Sequence, residues 1–527
     1  MGKTKILVAG PGTGKTTKIK EIFTSYGSPE KILILSFTNA TVLDLLGEFK
    51  KCNLPIDGES CLTLHRFALK INHLLNFHIL NDLEKDILLD LAKRLAVTPQ
   101  ILTESLSSIT FDMMIDSSSY FIKNNALYAR EKIGELDLLI IDEYQDFNDR
   151  ERKFIQTISQ YAKSTFILGD DDQCIYGFKD ADVDGIISAY NNTQTEKVPH
   201  DNVCYRCPDD IVEACNNLIR NNKKRIDKEL KISNKSGTIL LEQLADERNT
   251  ASFVASKIKQ LQNEDLKSAI MVLSPVSFAV GSIMQELNQQ KIEFINWFSP
   301  KLSAEDQKKI WILRVLGGSK RLLNMIFLAY EFRTSKKTKF KKFIEIVKEK
   351  IQNGLDETVA EQKAIELDLL SEGYMESVKN QVNIADFIKQ NTEYHHFMPF
   401  FDGSSNVQII IERLETFLTR NFDNDPSKVK IMSIHKSKGL QADYVFIVGL
   451  VDGILPNGGR GIDSIEAQRR VFFVGMSRAK KQLFLISTVY WDGKYVHKVD
   501  KSRFKYDYRK RAYKGQTSLF VRELKLG

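Results

Sequence analysis

Short apolar runs, each closed by turn or polar residues, recur along the chain. They lie at Lys5–Val8, Lys31–Phe37 (KILILSF), Leu136–Ile141 (LDLLII), Thr165–Leu168, Ala269–Leu273, Val445–Leu450 and Leu483–Ser487. Runs this short, separated by helical patterns, predict parallel strands covered on both faces, where no polar alternation is needed. Two stretches have another character. Residues 67–130 read as wholly helical, with Leu83, Ile87, Leu91 and Leu95 on one face and a stop at Thr98-Pro99. Residues 300–425 are again helical and strongly charged, with the basic run Lys336–Lys342 (KKTKFKK). The pattern predicts two α/β cores, each interrupted by a helical insertion.

Bulk properties narrow this little. A chain of 527 residues exceeds one compact core, so two to four domains are expected. With 43% hydrophobic and 27% charged residues it has an ordinary globular composition. A net charge of +7 suits a polyanionic partner without requiring one. No uninterrupted apolar run approaches 18 residues, and Ile6–Ala9 is too brief for a signal-peptide core, so the expectation is a cytoplasmic protein with no membrane partner. The six cysteines then read as reduced thiols. Cys204 and Cys207 form a CxxC near His200 and Cys215, but no second CxxC or HxxxH pair completes a zinc site; buried thiols are the favoured reading.

The chemistry begins at Ala9-Gly10-Pro11-Gly12-Thr13-Gly14-Lys15-Thr16-Thr17, directly after a predicted strand. Small residues let backbone N–H groups curl around phosphates, Lys15 reaches the β/γ oxygens, and the Thr16 hydroxyl completes a Mg²⁺ shell at the helix start. Ala9 stands where the strict pattern has glycine. A phosphate loop of this kind needs a carboxylate on a neighbouring strand, and LLIIDEYQD supplies one. Asp142 would hold Mg²⁺ and Glu143 would take a proton from the attacking water. In FILGDDDQCIYGF, Asp170 and Gln173 would face the γ-phosphate if this strand neighbours the Asp142 strand. Tyr176 and Phe178 follow at once, aromatics placed where stacked bases would meet the hydrolysis site.

These motifs, with LSFTNATVLDLL and TLHRFA, resemble in order the first core of UvrD/Rep/PcrA-type superfamily 1 DNA helicases. The second core continues the resemblance in NVCYRCPDDIVEACNNLI, VKIMSIHKSKGLQADYVFIVGLVDGILP and QRRVFFVGMSRAKKQL. The similarity covers about residues 5 to 487. It implies two RecA-like P-loop cores with parallel sheets: 1–66 with 131–198, and 199–299 with 426–490. Residues 67–130 would be a 1B-like insertion, 300–425 a reduced 2B-like insertion and 491–527 a basic C-terminal tail.

The resemblance also implies roles. ATP and Mg²⁺ would bind at residues 10–17 and Asp142. Gln173 would read the γ-phosphate, and Arg206 and Arg478 would approach it from the second core. Tyr205 would stack on adenine, with Gly439 and Gln441 at the nucleotide. Phe37, Tyr176 and Phe178 would stack DNA bases; Thr38, Asn39, Thr63, His65, Lys179, His435 and Lys438 would complete the DNA contacts or the coupling path. Cys174, Lys179 and Asp180 stand where the family has Ser, Arg and Gly. Gln441 replaces a glutamate, Ala442 an aromatic and Leu455 a phenylalanine. Lys179 keeps the charge of arginine but not its planar fork.

The activity these features imply is an ATP-dependent helicase or translocase on single-stranded DNA and its junctions, moving 3′→5′, in repair, replication or phage defence. The alternative is a DNA-stimulated ATPase or end sensor serving a separate partner nuclease, since 40 residues after the last motif hold no nuclease domain. A P-loop nucleotide kinase or GTPase would leave Arg206, His435 and Arg478 unexplained. The family's adenine-reading glutamine precedes the P-loop, where this sequence has only Met1–Lys5; relaxed nucleotide choice is therefore expected, unless a true start codon lies upstream. After residue 490, Lys501, Arg503, Lys505, Arg509, Lys510, Arg511 and Lys514 interleave with Tyr506, Tyr508 and Tyr513. That composition suits either a solvated extension or a DNA- or protein-docking arm.

Overall fold

The structure, a computed structural model, describes residues 3–27, 31–72, 77–298, 304–316, 321–367, 387, 391, 428–458 and 465–526. Much of the predicted 300–425 insertion therefore lies outside the described residues. The chain divides into two compact units, one of residues 1–72, 115–299 and 425–527, the other of 73–114 and 300–424. Among the described residues no helix is long and apolar enough to cross a membrane.

Strands β1 (Lys3–Val8), β2 (Ile32–Ser36) and β3 (Cys61–Thr63) precede the first insertion, which carries β4 (His78–Ile79) and β5 (Ser108–Ile109). β6 (Leu136–Ile141), β7 (Ala162–Gly169) and β8 (Thr195–Lys197) follow. The first sheet has the order β3-β2-β6-β7-β1-β8 and is parallel throughout. All five residues of β2 are buried, as its unbroken apolar run requires. Because every strand runs the same way, the loops leaving β1, β2, β3, β6 and β7 share one edge, the usual ligand edge of an open α/β sheet. β7 pairs directly with β6, so the condition placed on Gln173 by the sequence is met.

The second sheet uses β9 (Thr238–Asp246), β10 (Ile270–Ser274), β11 (Phe294–Asn296), β12 (Val429–Ser433), β13 (Ala442–Val448), β14 (Ala479–Trp491), β15 (Lys505–Asp507) and β16 (Ala512–Lys514). Its order is β11-β12-β10-β13-β14, with β9 parallel to β14. One face packs on Ile211, Val471 and Phe472, the other on Val254, Ile258 and Ile283. The C-terminal segment is no solvated extension. β16 adds antiparallel to the end of β14, β15 folds back on β16, and Phe520, Val521 and Leu524 are buried in the second core. Their apolar spacing in SLFVRELKL is a helical face hidden by the surrounding charge.

In the other unit, residues of both insertions share one apolar core that includes Leu91, Leu95, Trp311, Phe327 and Phe343. The first insertion is not wholly helical, since β4 and β5 pair in parallel. Its apolar face is also rotated from the expected one. Ile87, Leu91 and Leu95 are buried, but Leu83 is 44% exposed and Glu84 takes the inward position. The reason is hydrogen bonding: Glu84 accepts from the Trp311 indole at 2.7 Å and from the Asn81 backbone N–H at 3.1 Å, and contacts His78 at 2.8 Å. A capping box between Asn81 and Glu84 fixes the helix start.

Candidate nucleotide site and nucleic-acid face

The loop between β1 and the helix Lys15–Tyr26 turns through Gly12 (φ +71°) and Gly14 (φ +93°), left-handed conformations that favour glycine. At Gly12 any Cβ would also stand 2.6 Å from Arg206 Cβ, so glycine lets the second core approach the loop. That approach is hydrogen-bonded. The Tyr205 N–H donates to the Gly12 carbonyl at 3.0 Å, and the Gly10 N–H donates to Asn202 Oδ1 at 3.1 Å. Lys15 Nζ donates to the Ala9 carbonyl at 2.8 Å, at the mouth of the loop. Thr16 and Thr17 begin the helix and are exposed, and Thr13 is buried with its hydroxyl on the Gly10 carbonyl at 2.8 Å. Pro11 is buried behind them.

Asp142 is buried at the end of β6; burial first, then the neighbouring Glu143, push its carboxyl up to about 7. Glu143 adopts a left-handed backbone (φ +55°), the kind of strained conformation that recurs at functional sites. Burial acts to raise its carboxyl, but the Lys438 and Lys15 ammoniums outweigh it and hold Glu143 below the usual carboxylate range. Gln145 donates to Glu143 Oε2 at 2.5 Å and accepts the Asp170 N–H at 2.9 Å, so one amide ties the two strand ends together. Gln173 donates to Asp170 Oδ2 at 2.6 Å.

The second core completes this group. Arg478 is fully buried and donates to Gln173 Oε1 at 3.3 Å and to the Val474 carbonyl at 2.8 Å. Burial, reinforced by the nearby Arg206, lowers its guanidinium to about 9. Arg206 donates to the Ser477 carbonyl at 3.3 Å, beside Arg478 in the chain. Lys438, expected at DNA, instead points inward: its ammonium contacts Asp146 at 2.7 and 2.5 Å, the Gln173 carbonyl at 2.8 Å and Glu143 at 3.8 Å. Tyr205 is 69% exposed, leaving its ring open for stacking. Gly439 (φ +84°) and Gln441 are exposed in the turn before β13.

A run of rings leads away from this centre. Phe37 lies 5.3 Å from Tyr176, Tyr176 5.7 Å from Phe178, and Phe178 5.8 Å from His435, which belongs to the second core. Lys179 sits over Phe37 and Tyr176 at 5.4 and 5.7 Å, keeping a cation there. Asp180 holds a left-handed backbone (φ +59°), a conformation that favours glycine. Phe178 is 63% exposed. Thr38 caps the helix Asn39–Lys51, Thr63 accepts the Arg66 N–H at 3.2 Å, and His65 Nε2 lies 3.2 Å from Glu151.

One network escaped the sequence reading. Lys228 Nζ contacts Asp170 at 3.0 Å, Asp172 at 2.7 Å and Asp171, and Arg225 clamps Asp172 at 3.1 and 2.8 Å. KKRIDKELK looks like any solvated basic run; only its pairing with the buried DDD reveals it. Among the described residues, that Asp trio is also the one set of acidic, His or Cys side chains close enough to share a metal. Two cations already occupy it, and Cys204, Cys207, Cys215 and His200 form no such set.

Over residues 202–302 and 282–490 the sequence matches the family described as UvrD-like helicase C-terminal domain, and over 1–179 the one described as AAA domain. It is 27% identical over 478 residues to the probable DNA helicase II homolog of Mycoplasma capricolum, covering 79% of this chain and 66% of that protein. It is 24% identical over 412 residues to the ATP-dependent DNA helicase PcrA of Leuconostoc citreum, covering 67% and 54%. Against the ATP-dependent DNA helicase Rep of Buchnera aphidicola subsp. Acyrthosiphon pisum it is 25% identical over 436 residues, covering 71% and 66%. The chain thus spans between 54% and 66% of the length of these three relatives.

Proposed function

We propose for this chain, which belongs to the UvrD-like helicase family, an ATP-driven motor that moves along single-stranded DNA. The observation that carries the reading is the convergence of Glu143 and Gln173 from one sheet with Arg206 and Arg478 from the other. The hydroxyl of Thr16 and the buried carboxylate of Asp142 form an oxygen donor set that suits Mg²⁺. Bound there, Mg²⁺ would neutralise charge developing on the β and γ oxygens. Lys15 and the loop amides bind the triphosphate, Tyr205 stacks on its base, and Glu143 takes the proton of the attacking water. Gln173 orients that water or the γ-phosphate. Arg206 and Arg478 stabilise the transferred phosphoryl; an arginine in this role contributes about 10³–10⁵ in rate.

Motion follows from the same contacts. Arg478 touches Gln173, and four residues on from Gln173 begins the segment that bears Phe178. A change at the phosphate therefore reaches the ring ladder through a short, hydrogen-bonded path. Each base stacked on such a ring is worth about 1–3 kcal/mol regardless of sequence. We assign 3′→5′ polarity, which family resemblance implies. The test is displacement of a strand from duplexes with a 3′ or a 5′ single-stranded tail. Displacement of the 3′-tailed duplex supports a helicase of that polarity. Turnover stimulated by DNA without displacement of either would support a translocase or end sensor acting for a separate nuclease.

A further inference from the structure

The second core reaches the Gln173 amide at both of its ends. Gln173 Oε1 accepts from Arg478 at 3.3 Å, and Gln173 Nε2 donates to Asp170 Oδ2 at 2.6 Å. The other Asp170 oxygen, Oδ1, lies 3.0 Å from Lys228 Nζ. Lys228 stands on a loop that the second core anchors on both flanks. Asn216, on the helix Asp209–Ile219, donates to the Leu230 carbonyl at 2.8 Å and accepts the Leu230 N–H at 3.0 Å. On the other flank Asn222 donates to the Glu466 carbonyl at 3.0 Å, and the Glu466 carboxylate accepts the Lys223 N–H at 2.9 Å. From this frame a buried ammonium is delivered onto the turn of the first core that bears Gln173.

We propose that Lys228 is a positioning residue for hydrolysis: acting through Asp170, it fixes the Gln173 amide with Nε2 on Asp170 and Oε1 on Arg478. This deepens the reading above, in which Gln173 meets the γ-phosphate, and rests on it. An amide side chain has donors at one end and an acceptor at the other, so its partners decide which way it faces. An ionised carboxylate only accepts, so it takes the NH₂ end and leaves the oxygen for the Arg478 guanidinium. A carboxylate buried as deeply as Asp170 stays ionised only beside a cation. Burial acts to raise the Asp170 carboxyl, and Lys228, ahead of Lys15, outweighs it and holds Asp170 below the usual carboxylate range. Without Lys228 the carboxyl takes up a proton or turns toward another cation. Either change withdraws the acceptor from Gln173 Nε2 and frees the amide to turn over. Arg225 is the internal comparison. Its hydrogen bonds go to Asp172 at 3.1 and 2.8 Å and to the Lys228 carbonyl at 2.8 Å. It shares the buried ion pairing of this cluster but not the link to Gln173.

DNA-stimulated ATP turnover is measured on the full chain for the parent, Lys228→Met, Arg225→Met, Gln173→Ala and the Lys228→Met, Gln173→Ala double variant. The temperature is one at which each is folded by circular dichroism. In Lys228→Met kcat should fall by about a hundredfold with KM unchanged, as for a reacting group misplaced by about an ångström. Arg225→Met should lose stability yet keep kcat within about twofold of the parent. In the Gln173→Ala background, Lys228→Met should cost at most about a further twofold, since the residue it positions is already gone. With glutamine labelled by ¹⁵N at its side-chain amide, the Gln173 signal is assigned by its absence in Gln173→Ala. That signal should move in Lys228→Met and much less in Arg225→Met. Full turnover in Lys228→Met, an equal loss in Arg225→Met, or a loss of the same size in the Gln173→Ala background would overturn the proposal. So would a Gln173 signal that Lys228→Met leaves in place. If Lys228→Met does not fold, the same comparisons are made in Asp171→Asn, which removes one of the three buried carboxylates and keeps Asp170. Absence of turnover in the parent, or a Gln173→Ala protein as active as the parent, would count against the ATPase reading. The amide signal would still decide the link from Lys228.

Discussion

Replacing Lys228 by Met keeps the apolar stem but removes the ammonium that three carboxylates share. Asp170, Asp171 and Asp172 are 0%, 0% and 2% exposed, and Arg225 alone would remain as their cation. Deleting one partner of a buried ion pair typically costs about 3–5 kcal/mol, because the remaining charge stays desolvated. At about 2–4 °C per kcal/mol for a domain of this size, the unfolding midpoint should fall by at least roughly 6 °C. The loss should depend on pH with a defined sign. Burial, with the neighbouring aspartates and against Lys228, already raises Asp171 from 3.8 to about 6, and removing Lys228 raises it further. Between those values the folded chain holds a proton that the unfolded chain has released, so stability falls as pH rises through that window. The deficit of Lys228→Met should therefore be smaller at about pH 5 than at about pH 8. Asp171→Asn in the same chain should recover part of it. Thermal melts of the parent, Lys228→Met and the double variant at both pH values provide the check. A midpoint shift corresponding to less than about 0.5 kcal/mol, the range of surface pairs, would show that this network is not formed in solution. A large shift without pH dependence would refute the charge argument.

Lys15→Ala should abolish ATP turnover while leaving the unfolding midpoint near that of the parent; residual turnover above a tenth of the parent would remove Lys15 from the site. Phe178→Ala should weaken single-stranded DNA binding by about 1–3 kcal/mol in a fluorescence titration, with DNA-free turnover unchanged. An unaltered affinity would mean the exposed ring is not a stacking platform. Gly12→Ala meets both a φ of +71° and Arg206 at 2.6 Å, so nucleotide binding should weaken and turnover should fall; a fully active protein would show that the two cores do not close on this loop. For the hairpin β15–β16, changing Arg509, Lys510 and Arg511 together to Ala should lower DNA affinity and flatten its salt dependence by about 0.7 log units per lost phosphate contact. Point changes are preferred to truncation, because truncation would also remove the buried Phe520 and Leu524.

The sequence made the first sheet legible because buried parallel strands carry unbroken apolar runs, and β2 and β6 are such runs. The phosphate loop was legible because its tight turns favour small residues, and the Asp142–Glu143 pair because the chemistry calls for carboxylates at the end of an apolar strand. Short strands were not: β3, β8 and β11 have three residues each, too few for any period to show. Leu83 misled because periodicity alone gives several adjacent faces, and a hydrogen-bonded Glu84 selected one of them. The inward turn of Lys438 and the Lys228 cluster depend on partners over 50 residues away in sequence, which no local pattern encodes. The folded C-terminal segment was concealed by its own charge, since the run of Lys and Arg before Phe520, Val521 and Leu524 reads as surface.

The central claim is that hydrolysis at this site is stimulated by a DNA strand held on the ring ladder. ATP turnover should be measured for the parent and for Glu143→Gln, each with and without single-stranded DNA, alongside nucleotide binding. The account predicts turnover in the parent that rises on adding DNA, and none in Glu143→Gln, which still binds ATP and retains DNA. Parent turnover that ignores DNA, or a Glu143→Gln protein that hydrolyses ATP, would contradict it.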